Sequence, residues 1–227
     1  MISALLAALA LCMLGLGVYA LRLRAAAGPA AALVAVLCAG LAYDNIAVAL
    51  GRVLGYGPTL ETVNAGRFWI HALLTPLLLV AATLIGARLG VALLARRGVL
   101  IGAWILALAL IALGAATDIV RLTLAPADYA DTLRYTNTAT AGPLVPAIAT
   151  MLALIVVGVL LWRRAGTAWL LLGTVAMLVA AGAGFRHFWL GNLGELALQA
   201  TVVATLVTAA RPEPVRPEPV RPEPALP

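Results

Sequence analysis

Lysine is missing from this chain altogether: all 15 basic residues are arginine. That excludes a lysine-linked retinal and any chemistry through a Schiff base or a lysine nucleophile. Charge of either sign is scarce, at 11% of 227 residues, and six charged residues stand in the stretch Arg211–Pro227 alone. A soluble domain carries about a quarter charged residues, so a water-soluble enzyme of this size is excluded. Histidine occurs only twice, as His71 and His187, too few for a three-histidine zinc site. There is no HExxH motif, GxSxG elbow or phosphate-binding glycine loop. The two cysteines, Cys12 and Cys38, have no CxxC spacing and read as small apolar residues.

What the chain has instead is apolar length. Hydrophobic residues make up 64% of it, and its mean hydropathy is +1.07. About 20 such residues cross a bilayer core as a helix. Seven stretches meet that length: 2–21, 29–51, 68–87, 98–117, 143–162, 167–185 and 189–209. Open strand edges cannot exist in hydrocarbon. The expected fold class is therefore all-α, a polytopic bundle of seven transmembrane helices within residues 1–210, placed in the cell membrane. No positive charge precedes the first run, whereas Arg22 and Arg24 follow it, which suits a first helix better than a cleaved signal. The apolar region 88–97 reads either as an extension of the third helix or as an interfacial turn.

Arginine is sorted along the chain. Arg22, Arg24, Arg88, Arg96, Arg97, Arg163, Arg164 and the three tail arginines fall on one side of the predicted spans. Arg52, Arg67, Arg121, Arg134 and Arg186 fall on the other, together with Glu61, Asp118, Asp128 and Asp131. Positive residues stay cytoplasmic, so the N-terminus is expected outside and the C-terminus inside. The net charge of +6 is then a property of inner loops facing anionic lipid, and a nucleic-acid partner is not expected.

Three features lie outside this frame. The tail repeats Arg-Pro-Glu-Pro, and proline at every second position favours an extended chain without a core. Residues 118–142 form the longest loop, with no clear element of its own, and are expected outside as a partial lid. Arg67-Phe68-Trp69-Ile70-His71 is echoed by Arg186-His187-Phe188-Trp189-Leu190. That echo opens an alternative 3+1+3 arrangement of parallel repeats, as some transporters have.

Polar residues inside a membrane are costly and mark function by default. Here they share one depth. Asp44 and Asn45 lie in the outer third of the second span, roughly two turns below Arg52. Asn64, Arg67, His71 and Thr75 follow i, i+3, i+7, i+11 spacing and share one helical face. Asn192, Glu195 and Gln199 do the same in the last span. Asp118 closes the fourth span, and Arg186 and His187 end the sixth. The inner halves of these helices are almost wholly Ala, Leu, Val and Gly.

A polar pocket in the outer half is expected, with Asp44, His71 and Glu195 as acid–base groups. Asn45, Asn64, Arg67, Asp118, Arg186, His187, Asn192 and Gln199 are expected to bind substrate, and Arg67 and Arg186 to hold an anionic headgroup. Asp44 reads equally as a buried partner of Arg67 or His71, and Glu195 as a partner of Arg67. Each polar stripe also has a plainer reading as hydrogen bonding between helices. The histidines leave axial haem ligation or a metal site with Asp44 and Glu195 open as alternatives. Neither has a partner residue at i+3 or i+4, so no metal or cofactor is expected and a proton-transfer or orienting role for His71 is preferred.

The expected function is acid–base chemistry on a lipid or isoprenoid, with membrane lipids and an amphipathic small molecule as partners. A small-solute transporter and a non-catalytic assembly or sensory protein are the alternatives. The topology is directly testable. Green fluorescent protein fused after Pro227 should fluoresce and alkaline phosphatase fused there should be inactive; the opposite pair of results would refute the orientation.

Overall fold

The computed structural model describes residues 1–139, 145–184 and 186–211. Pro143 and the proline-rich tail beyond Arg211 lie outside the described residues. In chain order the elements are α1 (Ile2–Arg22), the one-turn α2 (Arg24–Ala27), α3 (Pro29–Ala49), the one-turn α4 (Gly51–Leu54), α5 (Pro58–Leu74) and α6 (Leu77–Arg88). There follow α7 (Arg97–Gly114), a π-helical turn Ala115–Ile119, the strands β1 (Leu124–Tyr129) and β2 (Thr132–Asn137), α8 (Val145–Ala165), α9 (Trp169–Ala183) and α10 (Trp189–Ala210).

Five of these helices, α1, α3, α7, α8 and α10, are long and apolar enough to cross a membrane, and the bent pair α5–α6 makes a sixth candidate. α9 is apolar but only 15 residues long. The chain is thus a multi-pass helical bundle. Its outer surface is itself hydrophobic: Ile105 is 63% exposed, Val156 61% and Val179 68%. Such a surface is stable against lipid and not against water. α3 is the central element, with 67% of its apolar stretch buried inside the protein, against 17% for α7. Around it a single large core joins α3, α6, α8 and α10 through Val34, Leu78, Leu154 and Leu206.

Close helix approach in this core relies on small residues. A Cβ built on Gly173 of α9 would lie 1.7 Å from Thr201 Oγ1 of α10, so only glycine lets these two helices meet there. Most buried threonines are satisfied within their own helices. Thr83, Thr150, Thr174 and Thr205 each donate to the carbonyl four residues back, at 2.7–2.8 Å. Buried hydroxyls of this kind carry no functional signal.

Two expectations need correction. The helical stretch expected as the third span begins at Pro58, not at residue 68, and turns by 41° between α5 and α6. Pro76 causes the break, because it lacks an N–H and its ring clashes with the preceding turn. Proline at the first helical position, which fixed a start at Pro58 as it did at Pro29, was the missed signal. After Arg88 the chain makes turns to Arg96, so α6 does not extend through 88–97.

The second correction concerns 118–142, which is not structureless. Its centre is a two-stranded antiparallel hairpin, Leu124 opposite Asn137 through Tyr129 opposite Thr132, set on a bundle that is otherwise helical. Ala130 takes a positive φ of 52° in the two-residue turn.

The hairpin is fastened at several points. A Cβ on Gly51 would lie 1.7 Å from the Leu133 carbonyl oxygen, so α4 and β2 are in backbone contact. At the turn, Asp131 caps α1 from a distance: Ile2 N–H donates to Oδ1 at 2.7 Å, and Ser3 Oγ donates to the Asp131 carbonyl at 2.8 Å. The Met1 ammonium also meets this carboxylate. That ammonium first, and the Ile2 and Ser3 amides after it, hold the Asp131 carboxyl down to about 2. A depressed carboxyl stabilises at pH values above its ordinary 3.8, and the contribution is lost as pH falls through about 2. Gly51→Ala should lower stability by about 1–3 kcal/mol, the usual range for overpacking, read from thermal unfolding of the detergent-solubilised protein. An unchanged midpoint would refute the close contact.

Candidate functional site

Polar side chains of α3, α5 and α10 converge at the end of the bundle that the hairpin covers. The centre is Asp44 on α3, which is 1% exposed. An isolated carboxylate there would be prohibitive in cost, and three partners surround it. Arg67 Nε–H on α5 donates to Oδ1 at 2.7 Å, and Asn192 Nδ2–H on α10 donates to Oδ2 at 2.9 Å. His71 Nε2 stands 3.4 Å from Oδ1. The guanidinium is held in turn: Arg67 Nη1–H donates to Asn64 Oδ1 at 3.3 Å. The same Asn64 oxygen accepts the Tyr135 backbone N–H of β2 at 3.2 Å. One chain of bonds therefore runs from the hairpin through α5 to α3 and α10.

The i, i+3, i+7 spacing of Asn64, Arg67 and His71 is what lines these side chains up on one face of α5. On α10, Asn192 and Glu195 do the same. Glu195 is not paired with Arg67 as one alternative had it. Its Oε1 lies 3.8 Å from His71 Nε2, and its Oε2 is buried with no hydrogen-bond partner among the described residues. His71 is thus flanked by two carboxylates at a single ring nitrogen.

Below this network lies an apolar cavity of about 130 Å³. Leu41, Ile70, Met151 and Met177 contribute to its walls, and its polar lining comes from His71, Thr75, Asp118, Glu195 and Gln199. Asp118 sits on the π-helical turn that extends α7, a kind of turn common at functional sites. It is 6% exposed, and its Oδ1 is buried without a partner among the described residues. Gln199 Oε1 accepts from Cys38 Sγ–H at 3.8 Å. Cys38 is buried in the core, whereas Cys12 is exposed on α1.

Of the residues singled out from sequence, Asp44, Asn64, Arg67, His71, Asn192 and Glu195 are brought together, with Asp118 and Gln199 on the adjoining cavity. Asn45 is buried but donates to Leu41 in its own helix at 2.8 Å. Arg186 and His187 are elsewhere. Both are exposed, and His187 Nδ1 shares a 2.7 Å hydrogen bond with Tyr129 of β1. The two histidines therefore serve different places. Sequence reading missed the hairpin's share: the Tyr135 amide, and Arg134, whose guanidinium lies 4.1 Å over the Phe188 ring. Alternation about the Ala130–Asp131 turn was the available signal, weakened by Pro126 within a strand and by the absence of Asn-Gly turn chemistry.

Asp44, His71 and Glu195 offer three ligand atoms within 4.8 Å of one another, so they are the residues that would hold a metal ion. The Arg67 guanidinium already occupies Asp44 Oδ1 at 2.7 Å, which sets a fixed cation against any divalent ion. The same geometry is well suited to sharing a proton. Asp44 and Arg67 cancel, and Glu195 with His71 is neutral whether the proton sits on oxygen or nitrogen. No family model, curated protein or solved structure matches this chain.

Asp44→Ala and Arg67→Ala should each destabilise the protein by about 3–5 kcal/mol, as removal of one member of a buried pair does. The double variant should cost clearly less than the two combined. Strict additivity in thermal or denaturant unfolding would show that the pair is not a unit.

Proposed function

We propose that the chain is an integral membrane enzyme performing proton transfer on an amphipathic, mainly apolar substrate held in the cavity beside His71 and Glu195. The observation that carries this reading is Glu195 itself. It is an ionisable group facing an apolar cavity with one carboxylate oxygen unpartnered, while its other oxygen stands 3.8 Å from an imidazole. A buried polar atom left unmade is expensive, and a substrate donor group is the partner it lacks.

In this scheme Glu195 takes a proton from the substrate and His71 receives it through the 3.8 Å contact, or the proton moves in reverse. The proton the pair gains is the one the substrate loses, the electrons of the broken bond staying on the substrate, so the summed charge of pair and substrate is unchanged. Asp44 does not touch the substrate. Fully engaged by Arg67, Asn192 and His71, it positions the imidazole and stabilises it when protonated, as the carboxylate of a catalytic triad does. Arg67 is a positioning residue for the same reason. The proposed setting is a cell membrane crossed seven times, with α9 as the shortest crossing, the N-terminus outside and the pocket in the outer half. Membrane lipids or a lipid-soluble small molecule are the partners, and nucleic acid is not one.

A second reading has its own observation. The 41° break at Pro76 lies directly beside the cavity, and broken helices next to a buried polar site are a transporter device. Flux measured in proteoliposomes separates that class from an enzyme.

The enzyme reading is tested by comparing lipid extracts of cells lacking the protein, producing it, or producing Glu195→Gln or His71→Gln. Expression should deplete one lipid-soluble species and raise another, and both variants should restore the profile of the deleted strain. A profile unaffected by the protein and by both variants would sink the proposal.

A further inference from the structure

The cavity has a charge preference of its own, apart from the proton chemistry at its edge. Two carboxylates line it, Asp118 from the π-helical turn after α7 and Glu195 from α10, beside the neutral Thr75 and Gln199 and the imidazole of His71. Each has one buried oxygen without a hydrogen-bond partner among the described residues, Oδ1 of Asp118 and Oε2 of Glu195. Among the described residues no arginine lines the space. Arg67, expected from sequence to hold an anionic headgroup, is spent on Asp44 and Asn64. Arg186 is exposed and outside the cavity. An anionic head placed here would meet two acids with no guanidinium, and a wholly apolar guest would leave both acceptor oxygens unsatisfied.

We propose, resting on the reading of this cavity as the substrate pocket, that its ligand is a lipophilic amine, bound with its ammonium between Asp118 and Glu195 and its apolar body against the leucine, isoleucine and methionine walls. An ammonium offers three N–H donors and no acceptor, the complement of two carboxylates among mainly apolar walls. The positive charge also matches the acids in a medium where unpaired charge is costly. The volume of about 130 Å³ exceeds several-fold the roughly 10–15 Å³ that one water needs, so the space suits a chain or ring and not a lone solvent molecule. Asp118 is positioned for this role by the end of α7. A Cβ on Gly114 would lie 3.3 Å from the Ala72 backbone, so glycine brings this helix end close beside His71, and the wide π turn follows at once.

The test is direct binding of octylamine, octanol and octanoate, at neutral pH, to the full-length protein in nanodiscs, with empty nanodiscs subtracted. Octylamine should bind at least about tenfold more tightly than either analogue, the scale of a charged hydrogen bond. Asp118→Asn should remove about tenfold of that affinity and leave octanol within about twofold. Equal binding of amine and alcohol, tighter binding of octanoate, or amine binding untouched in Asp118→Asn would each overturn the proposal. If Asp118→Asn does not fold, the ranking of the three ligands on the native protein decides alone. Failure of the ranking beside a Glu195-dependent lipid change would mean chemistry on an uncharged substrate. A correct ranking with an unchanged lipid profile would mean an amine-binding protein without that chemistry.

Discussion

The ion pair between Asp44 and Arg67 is the constraint on which the rest of this bundle hangs. A carboxylate that is 1% exposed inside a membrane protein has only two ways to persist, as a protonated acid or as an anion with near-perfect partners. The chain supplies the partners, and they come from different elements. Arg67 comes from α5 and Asn192 from α10, with His71 one turn further along α5. Satisfying one acid thus fixes how α3, α5 and α10 meet, in register and in depth. Apolar contacts alone do not specify register in lipid, because tails solvate Leu and Val as readily as neighbouring helices do.

The pair also explains why a hairpin appears in a protein otherwise made of helices. Arg67 needs a second acceptor, which Asn64 provides, and the same oxygen takes the Tyr135 amide at 3.2 Å. The outermost bond of the network is therefore a backbone donor of β2. Docking at Gly51, capping of α1 by Asp131 and stacking on Phe188 hold that donor in place. Pro76 acts at the other end. By breaking the third span below His71 it lets α5 lean over the site while α6 stays packed in the core.

Much of this was legible in the residues. Helical spacing placed Asn64, Arg67 and His71 on one face, and Asn192, Glu195 and Gln199 on another, and both faces point into the site. Scarcity made this possible: in a span with almost no polar residues, each one must find a partner, so a few positions determine the contacts. What spacing does not contain is which partner each group takes. Glu195 went to His71 instead of Arg67 because Arg67 was already held by Asp44 and Asn64, a competition that depends on three helices at once. Arg186 and His187 looked equivalent to Arg67 and His71 by their local motif. They are exposed because they precede α10 instead of lying within a buried helix face. The hairpin was hidden by its composition, since Pro126 argued against a strand and Ala130 carries a positive φ that no glycine announced.

The site is best understood as two charge systems set side by side. The upper one is closed around Asp44: both its oxygens are engaged, by Arg67 and by Asn192, and Arg67 donates also to Asn64. The lower one is open, because Glu195 and Asp118 both line the cavity and each keeps a buried oxygen without a partner among the described residues. His71 is the element common to both, within 3.4 Å of the closed system and 3.8 Å of the open one. Closure above gives rigidity, since a saturated buried network has no lower-energy rearrangement available. Openness below gives chemistry, since the missing partner must arrive with the guest. A network closed throughout would be a structural staple and nothing more, and one open throughout would not hold its helices together. The division between them at His71 is what makes this bundle a candidate for function and not merely for stability.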